Sequence, residues 1–198
     1  GFKDNITFFG NVKRTMFDFR PEQYDALYVR QLDDTYEPFR PDQALFDGLM
    51  GATAGVWINK WERVRGNVMM TYSTLIRERD DQEHSSALIP RIRAQYQFSR
   101  ALFLRGIFEY GSQESVDLGD PDSGLPLYAC DDTECSARTG SAGHDFRMEG
   151  LIGYEPSPGT VFFLGYTREM EDSRAFGFEN VRPTRDGLFL KLSYRFRL

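Results

Sequence analysis

No long apolar run occurs in this chain. Its longest unbroken apolar stretches, such as Val161-Phe162-Phe163-Leu164, reach about four residues, whereas a membrane-crossing helix needs about 20. No helical membrane span lies within these residues. An excess of positive charge is also missing. The 24 Lys+Arg stand against 30 Asp+Glu, a formal net charge of −6, so the basic footprint of a nucleic-acid binder is absent. Histidine is scarce, with only His84 and His144. No P-loop, HExxH or GxSxG segment is present, which removes the commonest phosphate-binding, zinc-protease and hydrolase signatures. Cysteine is nearly absent as well. Cys130 and Cys135 sit in a polar stretch without a further Cys or His to complete a zinc set. Their spacing suits a small surface disulfide made in an oxidising compartment; two free thiols are the alternative. No cofactor and no metal are expected. The chain begins at Gly1 rather than Met, as a mature or excised sequence does.

What is plentiful is aromatic character and period-two alternation. Aromatic residues make up 15%, with 17 Phe and 10 Tyr, although mean hydropathy is −0.50. The clearest segment is the last. Leu188, Leu190, Leu192, Tyr194, Phe196 and Leu198 alternate with Phe189, Lys191, Ser193, Arg195 and Arg197. A strand whose apolar face looks at lipid and whose polar face looks at a lumen reads this way. The same parity recurs in Leu88–Phe98, Val64–Ile76, Leu102–Tyr110, Phe146–Tyr154 and Phe162–Met170, where Arg168 is the exception. It recurs less cleanly in Phe46–Ile58 and near Ile6–Val12. Strands of about 9–11 residues suffice to cross a membrane, and aromatic girdles would use the Phe and Tyr.

Short turns fall at 58–64, 98–102 and 155–160, and long polar loops at 14–45, 77–87, 113–145 and 171–187. Short on one side and long on the other is the outer-membrane pattern. The expected fold is therefore all-β: an antiparallel up-and-down transmembrane β-barrel, a single domain over 1–198 with about eight strands in this chain. Tyr24–Leu32 is a candidate ninth strand. A soluble sandwich, or a lipocalin-like barrel with the charged face outward, satisfies the alternation too, because period two reports a half-buried sheet and not what covers it.

The parity assigns a lumen-facing set: Arg63, Arg65, Arg77, Arg91, Arg93, Arg105, Glu109, Arg147, Glu149, Glu169, Lys191, Arg195 and Arg197. In an eight-stranded barrel such side chains would fill the interior and pair into a plug; in a wider one they would line a channel with a basic bias. Asp117, Asp120, Asp122, Asp131, Asp132 and Glu134 make the loop 113–145 acidic, but without the spacing of an EF-hand. For catalysis the nearest grouping is Ser141, His144 and Asp145. Adjacent strand residues point to opposite faces, which suits a relay poorly, so no catalytic residue is assigned and the chain is expected not to be an enzyme.

Three stretches carry a resemblance: Ala94–Tyr110, Tyr154–Tyr166 and Asp186–Leu198. Together they are similar to the C-terminal barrel of large outer-membrane proteins that bear an N-terminal carbohydrate-binding domain of the family-nine type. The resemblance covers about 87–198. It implies a bacterial outer-membrane location and membrane lipids, lipopolysaccharide and other envelope subunits as partners. It also suggests the handling of saccharides, and implies that these residues are the tail of a wider barrel. Under it, the apolar Leu198 fits the C-terminal signature read by barrel-assembly machinery. A pore or transport domain is the leading expectation, a non-conducting anchor the alternative, and a rim-located outer-membrane hydrolase a more remote one.

Overall fold

The computed structural model describes residues 5–131, 133–172, 174–176 and 181–194. Asp132, Arg195, Phe196, Arg197 and Leu198, assigned above, lie outside the described residues. Twelve strands are present among those described. Eight form one sheet: β1 (Asn5–Met16), β4 (Phe46–Trp61), β5 (Val64–Arg77), β6 (Glu83–Gln97), β7 (Leu102–Ser115), β10 (Ser141–Ser157), β11 (Thr160–Asp172) and β12 (Arg182–Ser193). Every neighbouring pair is antiparallel and spatial order follows chain order. The fold is thus all-β and up-and-down, as the alternation indicates. Among the described residues no pairing joins β1 to β12.

The short turns are tighter than the sequence suggests. Trp61 pairs with Val64, leaving Glu62-Arg63 as a two-residue turn, and Ser157 pairs with Thr160 across Pro158-Gly159. Gly159 has φ +90, the conformation a turn with proline first and glycine second demands. At the other end the strands run farther than the apolar pattern does. β7 continues to Ser115 and β10 starts at Ser141, so the loop expected at 113–145 narrows to 116–140. Backbone ladders carry pairing onward after side-chain alternation fades, and only the alternating part is visible in sequence.

Four short strands build a second sheet from the two longest loops, in the order β3 (Tyr36–Pro38), β2 (Leu27–Arg30), β8 (Leu127–Cys130), β9 (Cys135–Ala137). The candidate ninth strand at Tyr24–Leu32 is thereby placed: it supplies β2 of this cap and not a member of the main sheet. A disulfide joins Cys130 to Cys135, which are register partners closing the β8–β9 hairpin. The cap has its own core, with Phe39, Leu45 and a fully buried Leu127 packed against Tyr24, Leu27, Val29, Phe46 and Leu118.

The main sheet is different. One face is apolar and exposed: Phe8, Val12, Met70, Ile92, Leu104, Ile152, Leu188, Leu190, Leu192 and Tyr194 all lie open. The accessible surface is 14300 Å², against roughly 9,600 Å² for a folded soluble monomer of this mass. Large contiguous apolar patches of this kind mark a surface meant to be covered.

Candidate functional site

The other face of the sheet carries the charged residues, and register sets them in rows. One row runs Arg91, Glu109, Arg147, Glu169, Arg185 across β6, β7, β10, β11 and β12. Signs alternate at every step. Arg91 Nε lies 3.4 Å from Glu109 Oε2, and Arg185 Nη1 lies 3.6 Å from Glu169 Oε2. Arg147 turns along its own strand to Glu149, at 2.8 Å. Opposite charges placed directly across from one another stabilise a sheet by only about 0.2–1 kcal/mol each, so the row matters more for the face it presents than for the fold. Side-chain exposure in these pairs runs from 30% to 77%. The row borders water and does not fill a core.

Below it, toward the short turns, lie Asn67, Arg93, Ile107 and Glu149, and then Arg65, Gln95, Arg105 and Leu151. Among the described residues, Arg93, Arg105 and Lys191 have no acidic partner within 4 Å, so the face has a basic bias. At the turn end the row Phe103, Gly153, Phe163, Lys191 is aromatic. The Phe103 ring lies over Gly153, where a Cβ would overlap it, and reaches Phe163 with ring centroids 6.3 Å apart.

At the cap end the charged face becomes hydroxyl-rich. Ser85, Ser115 and Ser141 are successive register partners; Ser115 and Ser141 Oγ are 3.2 Å apart. They edge a cavity of about 720 Å³ that Arg77, Glu83, His84 and Asp117 also line.

Two expected lumen residues sit at the ends of strands. Arg63 occupies the two-residue turn after β4, because that turn is shorter than 58–64. Arg77 ends β5 and clamps the outer hairpin through Asp80, at 2.8 Å. Arg185, placed in a loop by its sequence, belongs to the charged row. It has the same parity as Lys191, and β12 begins before the loop expected at 171–187 ends. The exception Arg168 lies on the apolar face, where Asp186 accepts hydrogen bonds from both Arg168 and the Tyr166 hydroxyl. The acidic loop residues mostly serve turns. Asp117 accepts the Gly140 N–H, Asp120 accepts those of Asp122 and Ser123, and Asp131 accepts those of Thr133 and Glu134.

The relay grouping considered above is taken apart. Ser141 bonds with Ser115, and the Asp145 carboxylate lies over Gly111 on the charged face. His144 instead bonds Ser112, Nδ1 to Oγ at 3.0 Å, on the opposite face of the sheet. Comparison with profiles of known protein families, with characterised sequences and with solved structures gave no match.

Proposed function

We propose that this chain is part of the wall of a bacterial outer-membrane β-barrel, a pore or the membrane domain of a transport system for polar solutes or saccharides. The apolar face meets membrane lipids and lipopolysaccharide, and barrel-assembly machinery inserts the chain. The resemblance at Ala94–Tyr110, Tyr154–Tyr166 and Asp186–Leu198 supports the same assignment.

One observation carries the choice of pore over plug: the charged row Arg91–Glu109–Arg147–Glu169–Arg185 stays water-accessible. The interior of a closed eight-stranded barrel is just wide enough for side chains to fill. Its charges would be packed together and buried. Exposed, alternating charges suit a wider barrel with an aqueous lumen. Arg93, Arg105 and Lys191, which have no acidic partner among the described residues, favour anionic solutes.

The test is conductance of the native-length protein in planar bilayers. Discrete channels with anion preference are expected, and Arg147→Glu is expected to move the reversal potential toward cation preference. A folded, inserted protein that never conducts would mean an anchoring barrel instead.

A further inference from the structure

On the apolar face of the main sheet, one row is polar and hidden. Ser112 on β7, His144 on β10 and Asp172 on β11 are direct register partners on three adjacent strands. They are 9%, 6% and 7% exposed. His144 Nδ1 lies 3.0 Å from Ser112 Oγ. Asp172 Oδ1 accepts the Arg174 N–H at 3.1 Å, while its buried Oδ2 has no hydrogen-bond partner among the described residues. A buried carboxylate oxygen left unpaired is costly. Positive charge on its neighbour relieves that cost, and the neighbouring imidazole becomes positive when it takes a proton from Ser112.

We propose that Ser112 is a nucleophile toward carboxylic esters of acyl chains, with His144 as its general base and Asp172, the register partner of His144, as a positioning residue. Ser112 Oγ bonds to the ester carbonyl carbon as its proton passes to His144 Nδ1. The carbon–oxygen bond to the alcohol then breaks, and the alkoxide leaves with that proton. Water attacks the acyl carbon and gives one proton to His144; the bond between that carbon and Ser112 Oγ then breaks, releasing the carboxylic acid. The proton returns to Ser112 Oγ. A hydroxyl, a base within hydrogen-bond reach and a third group beside the base are the parts this chemistry needs.

The acyl class follows from position. Tyr110 and Phe146 lie in the row next to these three toward the short turns, with ring centroids 4.8 Å apart, and the apolar face continues below. A chain laid along that face brings its ester carbonyl level with Ser112. This clause rests on the membrane reading; the nucleophile does not. Phe176 closes over Tyr110 through a ring contact at 4.5 Å and its N–H bond to Tyr110 Oη at 3.0 Å. Its φ of +52 is one a bulky residue adopts only under constraint. In this proposal the Phe176 ring shifts to admit the ester.

The experiment treats the full chain, folded in detergent, with an alkyl fluorophosphonate and maps the adduct by mass spectrometry. A wild-type adduct at Ser112 is expected, at least tenfold slower in His144→Gln that keeps its heat-modifiable migration. Asp172→Asn is expected to slow labelling severalfold, and Asp172→Glu to restore part of the rate. Asp145 and Glu171 on the other face, and Arg174, stay unchanged in both variants. No adduct at Ser112 in the wild type, or an undiminished rate in folded His144→Gln, overturns the proposal; an undiminished rate in folded Asp172→Asn removes Asp172 from it. Absent labelling with intact conductance defeats this inference alone, and absent conductance leaves it standing.

Discussion

Gly153 shows how a single side chain, or the lack of one, shapes the charged face. It is buried beneath the Phe103 ring, which fills the space a Cβ would take. Gly153→Val must push that ring off Phe163 and into the face, an overpacking that typically costs about 1–3 kcal/mol. A lower denaturant midpoint in detergent, with the same fold by circular dichroism, is the expected outcome. Residue identity alone indicated most of the charged face. Arg65, Arg91, Arg93, Arg105, Glu109, Arg147, Glu149, Glu169 and Lys191 fall where period two places them. Arg63 does not, because a two-residue turn consumes it; Arg185 keeps the parity of Lys191 but lies in a stretch whose sequence reads as loop.

Elements of two kinds make up the chain, and they were legible to different degrees. Long strands announce themselves through alternation, since each must keep one face apolar along its length. The cap strands β2, β3, β8 and β9 have three or four residues each, too few for a period to show. Their stability comes from a shared core and from fixed turns. In the β8–β9 hairpin, the Thr133 hydroxyl, followed by the N–H groups of Glu134 and Thr133, holds the Asp131 carboxyl down to about 2, against an ordinary 3.8. A carboxylate whose folded value is depressed stabilises the fold above its ordinary range, and that contribution is lost as pH falls through the folded value. The hairpin is therefore expected to stay intact at pH 4 and loosen toward pH 2. A carboxyl titration of Asp131 by NMR should show a midpoint near 2, and Thr133→Ala should move it up toward the ordinary value. A midpoint near 3.8 in the unaltered protein would contradict the hydrogen bonding described.

For the whole molecule, the decisive quantity is surface. Eight long strands expose an apolar face with too little cap to cover it, and 14300 Å² of accessible area needs a cover that water cannot supply. The folded chain is expected to need detergent or lipid, and to migrate faster on a gel before boiling than after. A detergent-free, soluble monomer would count against the membrane reading. Sequence by itself determined the all-β class, the order of the long strands and which residues share a face, because backbone pleating makes side-chain parity a local property. Tertiary structure decided what parity cannot express. Register between strands brought Arg91, Glu109, Arg147, Glu169 and Arg185 into one alternating row, and it joined His144 to Ser112. It also built the cap from two loops about a hundred residues apart in the chain. These outcomes depend on pairing between distant segments, and a period read along one strand contains no information about its neighbour's offset.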